Sequence, residues 1–302
     1  MKKTSSWNIN DKIGLSLFIL LLINIIILLY ISISYWKSNK LDKQLIYTSI
    51  LLWIIFILYV YSYPICILHM ISSLLSLLIS TPEFLDRSIM FPNHKYFERK
   101  KSFKIIKHEV NNMLEHTNKG KDLILTKDTY GGNNMYIGSD VKKTNDAIRG
   151  WRILNIKAGN HYSPYAKHFP HLCKLLKKNP EVISCVISVL EPHIHIPMHV
   201  GYYKGIMRYM IPTHVPKDKE NVFLSVNGIK YHWTEGTGVL WDDSFEHTVY
   251  NNTDEIRVVI YMDVLRPLTG IVHEFNKFII NLSTNSSAVK DEIKRTEVQI
   301  KL

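Results

Sequence analysis

The chain has 302 residues, room for one or two globular domains at roughly 100–200 residues apiece. Hydrophobic residues make up 46% and charged residues 21%, which excludes a mostly disordered protein, and the formal charge of +11 suits either nucleic acid or anionic lipid head groups. The three cysteines, Cys66, Cys173 and Cys185, are odd in number and not in a C-x-x-C spacing, which argues against a disulfide scaffold or a zinc knuckle and for a reducing compartment.

Residues 1–80 read as a membrane anchor. Ile13–Trp36 is an uncharged run of 24 residues, with Asn24 its one strongly polar side chain. As a helix it would be ~36 Å long, enough to cross a ~30 Å hydrocarbon core with some tilt. A second uncharged run, Leu45–Ser80, is divided by Pro64. It predicts one span over about 45–64 and a third apolar segment, 65–80, at the interface or crossing again. Tyr35, Trp36, Tyr47, Tyr61 and Tyr63 suit the head-group belt. Lys2, Lys3 and Lys12 precede the first span, Lys37, Lys40 and Lys43 fill the loop, and Arg99, Lys100, Lys101, Lys104 and Lys107 follow the membrane. That bias predicts a cytosol-facing globular part with membrane lipids as partners. No aromatic-interleaved basic motif appears, so nucleic acid is not expected.

Residues 81–150 read as a juxtamembrane region with a helix near Phe103–Glu115 and a Gly/Asn-rich loop, YGGNNMYIGSD. From 151 to 270 the pattern is that of a β-rich domain. A helical segment, HLCKLLKK, stops at Asn179-Pro180. Short strands are then predicted at Val182–Leu190, Ile206–Ile211, Val222–Val226, Val239–Trp241, Thr248–Tyr250 and Ile256–Val264. Turn signals such as Asn227-Gly228 separate them, and such spacing argues for a sandwich or barrel. The tail, 271–302, carries one apolar stretch, Ile271–Leu282, before a polar end.

Two histidines stand out. His199 lies in HIPMHVG before a predicted strand, and His247 lies in WDDSFEHTVYN after a turn. Ligands from two strands of one barrel would suit iron or another divalent metal, and hydrogen-bonded structural histidines would fit as well. In RVVIYMDV, alternation puts Arg257, Val259 and Tyr261 on one face and Val258 and Ile260 on the other. A covered Arg257 needs an anion, either a protein carboxylate or a small dicarboxylate. Arg208, sharing its face with Met210, poses the same problem, and Ser188 is a third inward candidate.

The stretches SVLEPHIHIPMHVGYYKGIMRYMIP and YHWTEGTGVLWDDSFEHTVYNNTDEIRVVIYMDVLRP resemble the aspartyl/asparaginyl β-hydroxylase family of iron(II)- and 2-oxoglutarate-dependent dioxygenases. The resemblance covers under half of the chain and says nothing about the anchor. It implies a mainly β fold, a double-stranded β-helix or jelly roll, behind the N-terminal transmembrane helices. It implies Fe(II) held by His199 and His247, with 2-oxoglutarate and O2 as co-substrates. Ser188 and Arg257 match the pair that holds the distal carboxylate of 2-oxoglutarate, and Arg208 matches a contact to the carboxylate beside the keto group. Gly201 stands where most related oxygenases place a carboxylate ligand, as is usual in this family. Asp242 and Asp243 read as supporting or turn residues rather than ligands, His195 as a supporting or structural residue, and His193 as exposed. Beyond the iron centre no catalytic residue is implied.

The family commonly has R-x-H where this chain has Arg208-Tyr209-Met210. Losing a hydrogen bond to a charged group costs on the order of 1.5–3 kcal/mol, so weaker 2-oxoglutarate binding is expected. The implied reaction is hydroxylation coupled to conversion of 2-oxoglutarate to succinate. Asp or Asn side chains in proteins or peptides come first as substrate, and lipid acyl chains are the alternative. The rivals are a tethered binding module that has lost turnover through Met210 and a structural membrane protein. Sequons at Asn251, Asn281 and Asn285 give a test of compartment.

Overall fold

The computed structural model describes residues 9–38, 43–62, 66–125, 150–286 and 289–290. Lys2, Lys3, Lys40, Pro64, the Gly/Asn-rich loop and the polar end of the tail lie outside the described residues. Two compact units emerge, one of Met1–Ser80 with Gly201–Lys204, the other of Thr81–Val200 with Gly205–Leu302.

The first unit holds α1 (Ile9–Ser38), α2 (Lys43–Ser62) and α3 (Cys66–Leu78), with α1 packed on both others. Leu15–Lys37 is long and apolar enough to cross a membrane. Its apolar side chains face outward, with Ile26 63% and Leu29 58% exposed. Asn24 is buried instead. Its amide donates to the Ser49 carbonyl at 3.3 Å and accepts from Ser49 Oγ at 2.6 Å, so α1 and α2 satisfy each other's polar groups.

The second unit is built on two antiparallel sheets. The early strands are β1 (Phe84–Leu85), β2 (Ile124–Leu125), β3 (Trp151–Ala158) and β4 (His161–Tyr162). Then come β5 (Val182–Leu190), β6 (Ile194–His199), β7 (Ile206–His214) and β8 (Val222–Val226). Last are β9 (Ile229–His232), β10 (Val239–Trp241), β11 (His247–Asn251) and β12 (Arg257–Leu265). The large sheet runs β1-β10-β7-β12-β5-β3-β2 with β4 on β3, and the small sheet runs β6-β11-β8-β9. From β5 onward the chain alternates between them: β5 large, β6 small, β7 large, β8 and β9 small, β10 large, β11 small, β12 large. That alternation is the double-stranded β-helix.

Of the expected juxtamembrane region, residues 81–125 belong to this unit. Phe84–Leu85 pairs with β10, and α6 (Lys100–His116), which follows the short α4 (Arg87–Met90) and α5 (Lys95–Glu98), buries Ile106, Val110 and Met113. A further helix, α7 (Pro170–Lys178), buries Leu172, Cys173 and Leu176. These helices and the outward residues of the large sheet, such as Val258, Ile260 and Met262, form one core cluster. Val259, Tyr261, Met210, Val186 and Trp241 join Ile196 and Val249 of the small sheet in a second. The sheet thus sorts β12 as the alternation predicts. A last helix, α8 (Gly270–Thr284), buries Asn276 and Ile280.

Candidate active site

His199 ends β6 and His247 opens β11, and the two are register partners on adjacent strands. Their ring centroids are 4.0 Å apart. Each imidazole is held by the same local device. His199 Nδ1 lies 2.8 Å from the Pro197 carbonyl and His247 Nδ1 lies 2.8 Å from the Phe245 carbonyl, each two residues back. A carbonyl only accepts, so both Nδ1 atoms carry the proton and both Nε2 atoms carry the lone pair. Burial lowers the pKa of His199 to about 4, with Arg208 adding to the effect. Burial and the neighbouring His199 push His247 well below the ordinary value. Two neutral, oriented imidazoles side by side make a divalent-metal donor pair. Among the described residues no third His, Cys, Asp or Glu completes a metal-binding group.

The strand geometry that points His199 inward is irregular. His199 pairs with His247, but Ile196 pairs with Val249, so β6 spends one more residue than β11 over this stretch. The bulge at Pro197-Met198 puts His199 on the same side as buried Ile196 despite their odd spacing. His195 precedes the bulge and does not join the site. It is exposed and stacks on Tyr250 with centroids 5.6 Å apart, the structural role among the two expected for it. His193 is exposed and pairs with Asp254 at 2.8 Å.

The two arginines meet different fates. Arg208 Nη2 lies 2.9 Å from Asp263 Oδ1 and 3.1 Å from Asp243 Oδ2, and the guanidinium sits 5.0 Å from the Tyr261 ring centroid. Burial works against its charge, but Asp263 and Asp243 raise its pKa above the ordinary value. Arg257 is fully buried on the inner face of β12. Its Nη1 reaches Ser188 Oγ at 3.5 Å and its guanidinium lies 5.8 Å from the Trp233 ring centroid. Nε and Nη2 have no hydrogen-bond partner, and burial pulls the pKa down to about 9. Ser188 Oγ also accepts from Trp151 Nε1 at 3.0 Å. This is a buried cation with two donors that meet no acceptor among the described residues, a fit for a ligand carboxylate.

Asp243 is buried, supports Arg208, and has its pKa raised to about 6, chiefly by burial. Asp242 serves the fold. It accepts from Arg266 Nη2 at 2.8 Å and Thr81 Oγ1 at 2.8 Å, far inside the protein. Met210 is buried between its register partners Val239 and Tyr261. The sequence reading did not single out Trp233, Trp241 or Asp263. Trp241 lies 4.6 Å from His247 ring to ring, and its presence inside WDDSFEH was the available signal.

The jelly roll thus brings two inward histidines and a buried inner arginine into one barrel. The model of the aspartyl/asparaginyl β-hydroxylase family matches residues 100–267, more than half of the chain, and the chain belongs to that family. It is 28% identical over 155 residues to an ornithine lipid ester-linked acyl 2-hydroxylase of Rhizobium tropici, covering 51% of this chain and 55% of that one. It is 31% identical over 106 residues to the aspartyl/asparaginyl β-hydroxylase of Homo sapiens, covering 33% of this chain and 14% of that one. The chain therefore spans 55% and 14% of the lengths of these relatives. Among solved structures, a cupin domain from Enterobacter cloacae aligns at 8% identity and TM-score 0.28, covering 39% of this chain and 99% of its own. The DMSP lyase DddQ from Ruegeria pomeroyi aligns at 9% and 0.30, covering 45% and 56%.

Proposed function

We propose that the chain is a membrane-anchored hydroxylase that uses iron(II), 2-oxoglutarate and dioxygen, with its catalytic unit facing the cytosol. The observation that carries this is the inner face of the barrel: two neutral imidazoles with ring centroids 4.0 Å apart, and a buried Arg257 with two donors that find no partner among the described residues. His199 and His247 would hold the iron, and Arg257 with Ser188 would bind the distal carboxylate of 2-oxoglutarate. Iron(II) bound with 2-oxoglutarate would supply the oxygen activation needed to hydroxylate an aliphatic carbon, releasing succinate and carbon dioxide. The chain's own part is positional. The Pro197 and Phe245 carbonyls fix ring orientation, and burial keeps both imidazoles neutral and ready to coordinate. Trp233 and Trp241 keep water from the carboxylate end and from His247. Arg208 would face the second carboxylate of 2-oxoglutarate from within its Asp263 and Asp243 cradle.

On residues alone a protein Asp or Asn side chain comes first as substrate. The longer alignment to the lipid acyl hydroxylase and the apolar helix Leu15–Lys37 favour an acyl chain of a membrane lipid instead. The Asp/Asn reading is supported by the slightly higher identity to the human enzyme. A binding module without turnover is disfavoured by Arg257, since its unpaired guanidinium preserves the carboxylate pocket.

The test uses the full chain in detergent, handled without oxygen, then given iron(II), 2-oxoglutarate and air. Succinate formation that vanishes in His199→Ala and in Arg257→Ala is the expected result. Mass spectrometry of added lipids and peptides for gain of one oxygen atom then separates the two substrate classes. A folded chain that does not bind iron would overturn the assignment.

A further inference from the structure

Lys157 of β3 is almost entirely buried, with 7% exposure, yet no carboxylate pairs with it among the described residues. Its Nζ donates to the Val182 carbonyl, which uses one of three ammonium protons. Burial lowers its pKa, with Cys185 and Glu181 acting in the opposite direction. A buried cation without a counter-charge is costly unless something supplies one.

Lys157 lines a cleft of about 450 Å³ bounded by β4, α7 and α8. Lys177 and Lys277 line the same cleft, so three ammonium groups share it. Lys177 lies 5.8 Å from the Tyr162 ring centroid, and Lys277 pairs with the exposed Glu274 at 3.3 Å. The remaining wall is largely apolar, with Leu176, Val182 and Ile280 among its residues. A second cleft, also lined by Tyr162 and Lys177, adds Lys167, Lys174 and Lys178 to the positive field. Neither cleft includes His199, His247, Arg208 or Arg257.

We infer that the cleft between α7, α8 and β4 binds an oxyanion that carries an apolar tail, the chemistry of an acidic lipid, with Lys157 as the buried anchor and Lys177 and Lys277 at the rim. The volume falls within the ordinary range for small-ligand sites. The inference goes beyond the hydroxylase reading and does not depend on it.

The experiment is calorimetric titration of the full chain in a neutral maltoside detergent. The probes are octyl phosphate, inorganic phosphate as the head alone, and octyl glucoside as the tail alone. Octyl phosphate should bind saturably and at least tenfold more tightly than either control. Lys157→Met should weaken it at least tenfold, and so should Lys177→Gln combined with Lys277→Gln. The rim variants decide the matter if Lys157→Met does not fold. Equal affinity for inorganic phosphate would overturn the tailed ligand in favour of free phosphate. Equal affinity for octyl glucoside, or no change in the variants, would overturn the site itself.

Discussion

Arg208 and Arg257 lie on the inner face of one sheet and posed the same question in the sequence: what anion answers a covered guanidinium. The answers diverge. Asp263 is the register partner of Arg208 on β12 and Asp243 reaches it from the turn before β11, so Arg208 is neutralised within the chain. Arg257 meets a serine and the face of a tryptophan, neither carrying charge. Replacing an uncompensated buried charge by a shaped apolar side chain is often stabilising. Arg257→Met is therefore expected to raise the stability of the ligand-free chain by about 1–3 kcal/mol while abolishing 2-oxoglutarate binding. Denaturant unfolding and calorimetry on one sample would check both signs; a loss of stability would mean that the guanidinium already has a counter-charge. Asp243 gives a pH signature. Burial raises its pKa to about 6 in the folded chain, above the ordinary carboxylate range that it has when unfolded, so the folded state binds the proton more tightly. Stability from this group is thus full below the unfolded value and declines as pH rises toward 6. Asp243→Asn should remove that decline, seen as a wild-type minus variant difference of about 2–3 kcal/mol opening across the window.

The strands show what a sequence can and cannot announce. β5, β8 and β10 have the predicted bounds because Val, Ile and Leu runs flanked by turn residues leave little choice. β6 was harder. Proline is uncommon inside a strand, and the pairing with β11 shows that the backbone absorbs Pro197 and Met198 as a bulge. The inward turn of His199 and the outward turn of His195 both follow from that one extra residue. Deleting Met198 should return the strand to regular alternation and abolish metal binding. His195→Ala should leave metal affinity within about twofold, since its ring lies on Tyr250 outside the barrel. Pairing of Arg208 with Asp263 was hidden for the same reason: it follows from cross-strand register, which alternation along one strand does not give. The sequon at Asn251 also changes meaning in three dimensions. Its side-chain amide is buried and donates to the carbonyls of Leu190, Glu191 and Glu255, so it belongs to the fold and offers no attachment point. Glu109 of α6 went unnoticed altogether. Its carboxylate accepts from the His171 and Leu172 amides at 2.6 and 3.1 Å, capping α7 from another helix. Glu109→Ala should cost about 1–2 kcal/mol in thermal or chemical unfolding.

At the scale of the molecule, the family resemblance was legible from residues 151 onward, whereas the part played by residues 81–125 was not. Phe84–Leu85 extends the large sheet, and Thr81 helps hold the Asp242–Arg266 pair, in which both side chains are within 1% of complete burial. Removing one partner of such a pair leaves the other charged and stranded, so Asp242→Asn should destabilise the unit by about 3–5 kcal/mol. The order of the large sheet carries one more consequence. β12 is the last strand in the sequence, yet it lies in the middle, between β7 and β5. While the chain emerges from the ribosome, β5 with β3 and β7 with β10 are two half-sheets facing a gap, each with an open edge. The final strand closes that gap and delivers Arg257 in the same event, so the inner arginine and the continuous sheet arrive together. Synthesis halted before residue 257 would leave sticky half-sheets rather than a weakened enzyme.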